Sequence, residues 1–183
     1  MNLDYKPPGP IAKAFMKDES FVRGIRGPVG SGKSVTCCME IMRRAVNQAP
    51  NSAGVRRTRW AVIRNTNPQL KTTTIKTWRD WFGDEVGKFV WSPPYTHLVN
   101  FSLADKTSVE CEVIFLALDK QEDVKKLLSL ELTGVWLNEA RELPKSIVDA
   151  CTMRCGRFPS MRDGGPSWYL SLIHISEPTR QKP

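Results

Sequence analysis

The sequence predicts an α/β fold, a mostly parallel central sheet flanked by helices on both faces. Three observations carry that expectation. Strand-like apolar runs alternate with helix-like stretches along most of the chain. A glycine-rich loop, "GPVGSGKS", joins one such run to a helical pattern. A compact apolar run, "GVWL", leads straight into Asn138 and Glu139.

The bulk composition is compatible with this reading. A chain of 183 residues suits one domain with a sizeable core. Charged residues make up 25% and hydrophobic ones 40%, an ordinary globular mixture rather than a disordered one. No apolar run approaches the roughly 18 residues of a membrane span. The opening "MNLDYKPPGPIAKAF" lacks the apolar segment of a signal peptide. The cysteines are Cys37, Cys38, Cys111, Cys151 and Cys155, an odd and loosely spaced set that fits reduced thiols. Net charge is +8, which favours an anionic partner or an anion-rich site without choosing between them. Basic clusters at Arg56, Arg57 and Arg59 and at Lys125 and Lys126 fit a solvated surface as well as nucleic acid.

The elements follow in order. Residues 1–20 hold three prolines and read as an extended arm, with an amphipathic stretch near 11–16. "FVRGIRG" is a short strand running into a turn. Beyond Lys33, Val35, Cys38, Met39, Met42 and Ala45 fall on one helical face, with Arg43 and Arg44 away from it. Pro50 and Gly54 mark a loop. "RWAVIR" suits a buried strand. "NTNPQL" reads as a turn, and 70–82 as a helix with Leu70, Ile75, Trp78 and Phe82 inward. Thr72, Thr73 and Thr74 weaken that helix, because β-branched side chains lose rotamer freedom there. "THLVNFSL" and "SVECEVIFLAL" read as paired strands around "ADKT". A helix is expected over 121–130, with Val124, Leu127 and Leu128 on its apolar side. "GVWL" is the next strand, and Pro144 starts a helix with Ile147, Val148, Cys151 and Cys155 as its stripe.

The end of the chain stands apart. "LSLIHISEPTR", 170–180, resembles the translated read-through of a sequencing-library adapter. The expectation is therefore a native chain that stops near Tyr169 and a non-native tail over 170–183.

"GPVGSGKS" satisfies G-x-x-x-x-G-K-S/T, and its flanks are right: an apolar strand before, a helical pattern after. Glycines at 27, 30 and 32 let the backbone curl with its N–H groups inward, forming an anion nest. Gly27, Pro28, Val29, Gly30, Ser31, Gly32, Lys33 and Ser34 are the candidate nucleotide-binding residues. Lys33 would reach the β- and γ-phosphates of ATP, and the Ser34 hydroxyl would ligate Mg2+.

The strand before Asn138 would deliver that residue and Glu139 beside the loop, where ligands gather in open parallel sheets. The position usually holds an aspartate that retains Mg2+. Asn138 offers an oxygen without the charge, so weaker metal retention is expected. Glu139 is the candidate general base, with direct metal ligation and a surface ion pair as competing roles. Arg26, Arg64, Arg154 and Arg157 are candidates for contact with the γ-phosphate, in cis or in trans. These motifs place the chain among P-loop NTPases, in the additional-strand catalytic-glutamate class.

Together the long segments "FVRGIRGPVGSGKS", "AVIRNTNPQLKTTTIKTW", "LALDKQEDVKKLLSLELTG", "LTGVWLNEARELP" and "RCGRFPS" resemble the N-terminal ATPase domain of a tailed-bacteriophage terminase large subunit. The resemblance covers roughly 21–159. It implies an ATP-driven motor that moves double-stranded DNA, a homo-oligomeric ring on a portal protein, a small terminase subunit as partner, and no membrane. It also implies a place in the cytoplasm of an infected bacterial host, transiently at the procapsid portal. In that reading 21–169 is an incomplete ATPase domain, and the family's nuclease acids have no counterpart. A helicase-like remodelling ATPase, or a nucleotide-binding module without turnover, are the alternative readings.

Overall fold

The computed structural model describes residues 5–167 and 169–175. Helix α1 (Gly9–Lys17) leads into strand β1 (Val22–Gly27), and α2 (Lys33–Asn47) follows the glycine-rich loop. Strand β2 (Val55–Arg64) precedes a helical run built from α3 (Asn67–Gln69), a π-helical stretch (Leu70–Ile75) and α4 (Lys76–Trp81). Strands β3 (Gly87–Val90), β4 (Tyr95–Ser102) and β5 (Ser108–Ala117) come next. Helix α5 (Val124–Leu128), strand β6 (Gly134–Leu137), helix α6 (Lys145–Arg154) and strand β7 (Tyr169–Ile175) complete the order.

These strands form one sheet in the order β1-β7-β6-β2-β5-β4-β3. β1, β7, β6, β2 and β5 run parallel, and β4 and β3 add an antiparallel edge. The period-2 alternation of a strand splits the core between two faces. Trp60, Val62 and Trp136 pack with α2 and the buried face of the helical run, including Cys38, Met42, Trp78 and Phe82. Ala61, Ile63, Val135 and Leu137 turn the other way, onto Leu127, Ile147, Ala150 and Cys151. Each fully buried Val, Leu, Ile, Met or Phe among them contributes about 1.5–3 kcal/mol, so the two clusters hold helices on both faces as expected. Gly134 is required by close approach: a Cβ there would lie 2.4 Å from the ring of Trp60.

Several elements differ from the expectation for identifiable reasons. The arm is not wholly extended: α1 forms and buries Ala12 and Phe15, while Ile11 stays exposed. "NTNPQL" is not a turn. Its proline sits in the first turn of α3, where its missing donor costs nothing, and the helical run starts there. The threonines then widen the run into a π-helix. Thr72 and Thr73 donate their hydroxyls to the carbonyls of Pro68 and Gln69, a back-bonding that bends helices. Leu70, Ile75, Trp78 and Phe82 are buried as expected. The helix expected over 121–130 is a 3-10 turn followed by the short α5, and Leu128 is on the exposed side. Cys155 lies just past the end of α6. Arg44 is buried rather than turned away, because Glu19 and Glu40 compensate its charge.

Within the adapter-like tail, residues 170–175 belong to β7 and fill the slot between β1 and β6. A strand buried on both faces needs apolar residues in both directions. Leu170 packs on the α6 side and Ile173 on the α2 side, and this apolar run therefore meets the need whatever its origin. Residues 176–183 lie outside the described residues.

Candidate nucleotide site

The glycine-rich loop spans the end of β1 and the start of α2. Gly30 and Gly32 both have φ of 76°, the left-handed region in which glycine alone avoids a steric penalty. They curl residues 28–32 and bring α2 in end-on, with no acidic residue in its first turn to compete for an anion. The Thr36 hydroxyl closes the turn by donating to the Gly32 carbonyl at 2.9 Å, and Tyr5 of the arm lies 2.9 Å from the same hydroxyl. Pro8 caps the loop so tightly that a Cβ on Gly32 would lie 2.7 Å from its ring.

Lys33 is folded back on its own loop. Its ammonium donates to the Pro28 carbonyl at 2.6 Å and to Ser31 Oγ at 3.0 Å, and Ser31 donates in turn to Pro28 at 2.9 Å. Partial burial holds the Lys33 pKa below the usual lysine range. Neutral oxygens satisfy the ammonium only in part, so an arriving phosphate would be a stronger acceptor. Ser34 is half-buried one residue further into α2. Val29, at the loop tip, is exposed.

The second half of the site is at the end of β6. The Asn138 N–H extends the β2 ladder by donating to Ile63 at 2.9 Å. Glu139 then turns left-handed, with φ 58° and ψ 55°, a conformation costly for a residue with a side chain and frequent at functional sites. The Asn138 side-chain nitrogen donates to Thr74 Oγ1 of the π-helical stretch at 2.8 Å. Arg64, at the end of β2, stands 4.0 Å from Glu139 Oε1 and 3.7 Å from Glu142 Oε2, and donates to the Asn138 carbonyl at 3.4 Å. Burial lowers its pKa from the usual arginine range, with Glu142 opposing that shift.

The two halves face one another. β1 and β6 flank β7, so two strand spacings, about 10 Å, separate them. Gly24 and Leu137 pair with the same residue, Leu172, which sets them at one height in the sheet. Arg26, at the base of the loop, and Glu139 each follow two residues beyond that height along their own chains. Arg26 is exposed there, beside a cavity of about 130 Å³ lined by Pro8, Pro10, Gly27, Pro28 and Lys33.

Of the four candidate arginines, the structure brings Arg64 to Glu139 and leaves Arg26 on the rim. Arg154 and Arg157 are at the opposite end of the sheet. Their backbones bond Leu132, ahead of β6. At 3.3 Å per residue that is roughly 20 Å from Glu139, so neither reaches the site within one chain. The basic cluster at 56–59 is locally balanced, by Asp105, by Glu110 with Asp163, and by Glu112. Sequence reasoning missed Thr74. Its signal was spacing: Leu70, Thr74 and Trp78 share one inward stripe, and a threonine there requires a polar partner.

A phosphate loop ending one strand, a carboxylate ending another, and a single strand between them define a P-loop NTPase fold of the additional-strand class. Solved structures share it. A large terminase from a thermophilic bacteriophage is similar with a TM-score of 0.64 at 13% identity, over 85% of this chain and 34% of that one. The same phage's large terminase in complex with ADP gives 0.61 at 16% identity, over 89% and 35%. The large-terminase ATPase domain of a Thermus phage gives 0.54 at 14% identity, over 93% and 65%. This chain thus spans about a third of the first two terminase chains it matches. No protein-family model and no curated protein matches the sequence.

Proposed function

We propose that the chain is the ATP-hydrolysing motor domain of a tailed-phage large terminase. The observation that carries this is the pairing of the curled loop at residues 27–34 with Glu139 across one strand, on a fold shared with large-terminase ATPase domains.

In this reading the loop amides and Lys33 hold the ATP phosphates. Lys33 exchanges the Pro28 carbonyl and Ser31 hydroxyl for phosphate oxygens. Glu139 orients a water and takes its proton as the water attacks the γ-phosphate. Arg64 holds the Glu139 carboxylate in place until substrate arrives, and is the arginine best set to meet charge on the γ-phosphate.

The donor set suits Mg2+ only together with substrate. Ser34 Oγ and Asn138 Oδ1 are neutral oxygens, and among the described residues no three His, Cys, Asp or Glu side chains gather as a metal site. Mg2+ commonly binds through few protein oxygens plus phosphates, so Ser34 and Asn138 would hold it with the nucleotide. The bound ion would neutralise charge on the phosphates.

Double-stranded DNA, a portal protein, a small terminase subunit and further copies in a ring would be the partners, in the host cytoplasm and at the procapsid. No helix among the described residues is long and apolar enough to cross a membrane. Residues 1–20 would be an arm, of which Tyr5 and Pro8 meet the loop, and 21–169 the motor domain. By the resemblance of 170–180 to adapter read-through, residues 170–183 would be a non-native tail, and the native strand between β1 and β6 would then differ in sequence. Calorimetry with ATP tests the cradle. Lys33→Ala should weaken ATP at least 10-fold, as expected for loss of a charge-assisted contact worth more than about 1.4 kcal/mol. Unchanged affinity would overturn the proposed site.

A further inference from the structure

An amide, unlike a carboxylate, has two different ends. If Asn138 is to present oxygen to a cation, something must fix which way its amide points. The structure contains such a device. Asn138 Nδ2 donates to Thr74 Oγ1 at 2.8 Å in a buried position. A hydroxyl could also donate to the amide, so that contact alone would not set the direction. The next residue does. Thr73 Oγ1 donates to the Gln69 carbonyl at 2.6 Å, which commits its proton. Its remaining role toward Thr74 Oγ1, 3.5 Å away, is acceptor. That leaves Thr73 Oγ1 as an acceptor on the side of the Thr74 proton, and Thr74 able to accept from Asn138. The chain runs one way: Asn138 amide, Thr74, Thr73, Gln69 carbonyl. Anchored by its nitrogen, the Asn138 amide keeps its oxygen off the Thr74 hydroxyl.

We infer that Thr74 is a positioning residue that fixes the Asn138 amide with its oxygen toward the nucleotide-bound Mg2+, Thr73 setting the direction of the chain. The inference rests on the ATP-site reading above. It explains why a π-helical stretch stands here: the widened turn carries two back-bonded threonines and sends the third to β6.

The test compares ADP affinity by calorimetry with Mg2+ and with EDTA. Thr74→Val should reduce the Mg2+ enhancement roughly 10-fold, the cost typical of a lost partner behind a metal ligand. ADP affinity in EDTA should stay unchanged, and Thr74→Ser should restore the enhancement. In an Asn138→Asp background, Thr74→Val should cost little, whereas a merely structural threonine would cost the same in both backgrounds. Should the valine variant fail to fold, Thr73→Val, at an exposed position, removes the direction alone and should give a partial loss. Without nucleotide, the Asn138 side-chain NH2 resonance should be protected from exchange and lose that protection in Thr74→Val. An intact Mg2+ enhancement in Thr74→Val, or an unprotected Asn138 amide in the parent chain, would overturn the inference. Absence of any ADP binding by the parent chain would instead overturn the nucleotide site itself, and the resonance keeps the two failures apart.

Discussion

Glu40 is the residue whose removal should cost the fold most. It is 1% exposed, near the middle of α2, and accepts from Arg23 at 2.6 Å, Arg43 at 2.7 Å and Arg44 at 2.7 Å. Arg44 retains Glu19 as a second partner. Arg23, with a side chain 0% exposed, would be left with two carbonyls and the Ser171 hydroxyl, none closer than 3.1 Å. Glu40→Gln keeps shape and one acceptor but strands that guanidinium. Breaking a buried pair costs about 3–5 kcal/mol, and the retained acceptor puts this substitution near 3. Domains of this kind are stable by about 5–15 kcal/mol, so the loss is large. At about 2–4 °C per kcal/mol, melting should fall by roughly 6–12 °C. Burial pushes the Glu40 pKa up, but the three arginines outweigh it and hold it below the ordinary 4.5. Its contribution is therefore complete above that value and lost as pH falls through the folded pKa. The gap between variant and parent should narrow in that acidic window. Urea denaturation at pH 7 and in steps downward from pH 4.5 reads both effects. A loss under about 1 kcal/mol at pH 7, or a gap that does not close in acid, would refute the electrostatic account.

Other outcomes follow from single sites. His97 is fully buried and accepts from the Trp78 indole at 2.9 Å, and burial holds its pKa below the ordinary 6.5. The unfolded chain takes up a proton below 6.5 while the folded one does not, so stability should fall by up to about 1.4 kcal/mol per unit through that window. Urea midpoints at pH 7 and 5.5 should show this decline, and His97→Gln should abolish its share. Gly134→Ala would press a methyl group into the Trp60 ring, at 2.4 Å, and should destabilise by about 1–3 kcal/mol on the same assay.

Much of the site was legible because loop spacing and strand context are local properties. Gly27 to Ser34 and the Asn138–Glu139 pair announce themselves by sequence alone, and β7 between them brings them within reach. What was not legible depends on distant partners. Val22 looks like a core residue and is exposed, whereas Arg23 looks like surface and is buried, because Glu40 waits 17 residues away. Arg44 misleads for the same reason. The π-helical stretch arises from side-chain bonds that no periodicity encodes. β3 is four residues long and takes its place as an edge strand only because β4 is there to pair with it. The 170–175 segment reads as foreign from its resemblance to adapter read-through, while the burial of Leu170 and Ile173 depends only on having apolar side chains on both faces.

The central claim is that Glu139 activates water for a phosphate held by residues 27–34. Phosphate release from saturating Mg·ATP, measured for Glu139→Gln beside the parent chain, tests it most directly. The account predicts turnover in the parent and its loss in the variant, with ATP affinity retained. Equal rates of release from the two chains would contradict it.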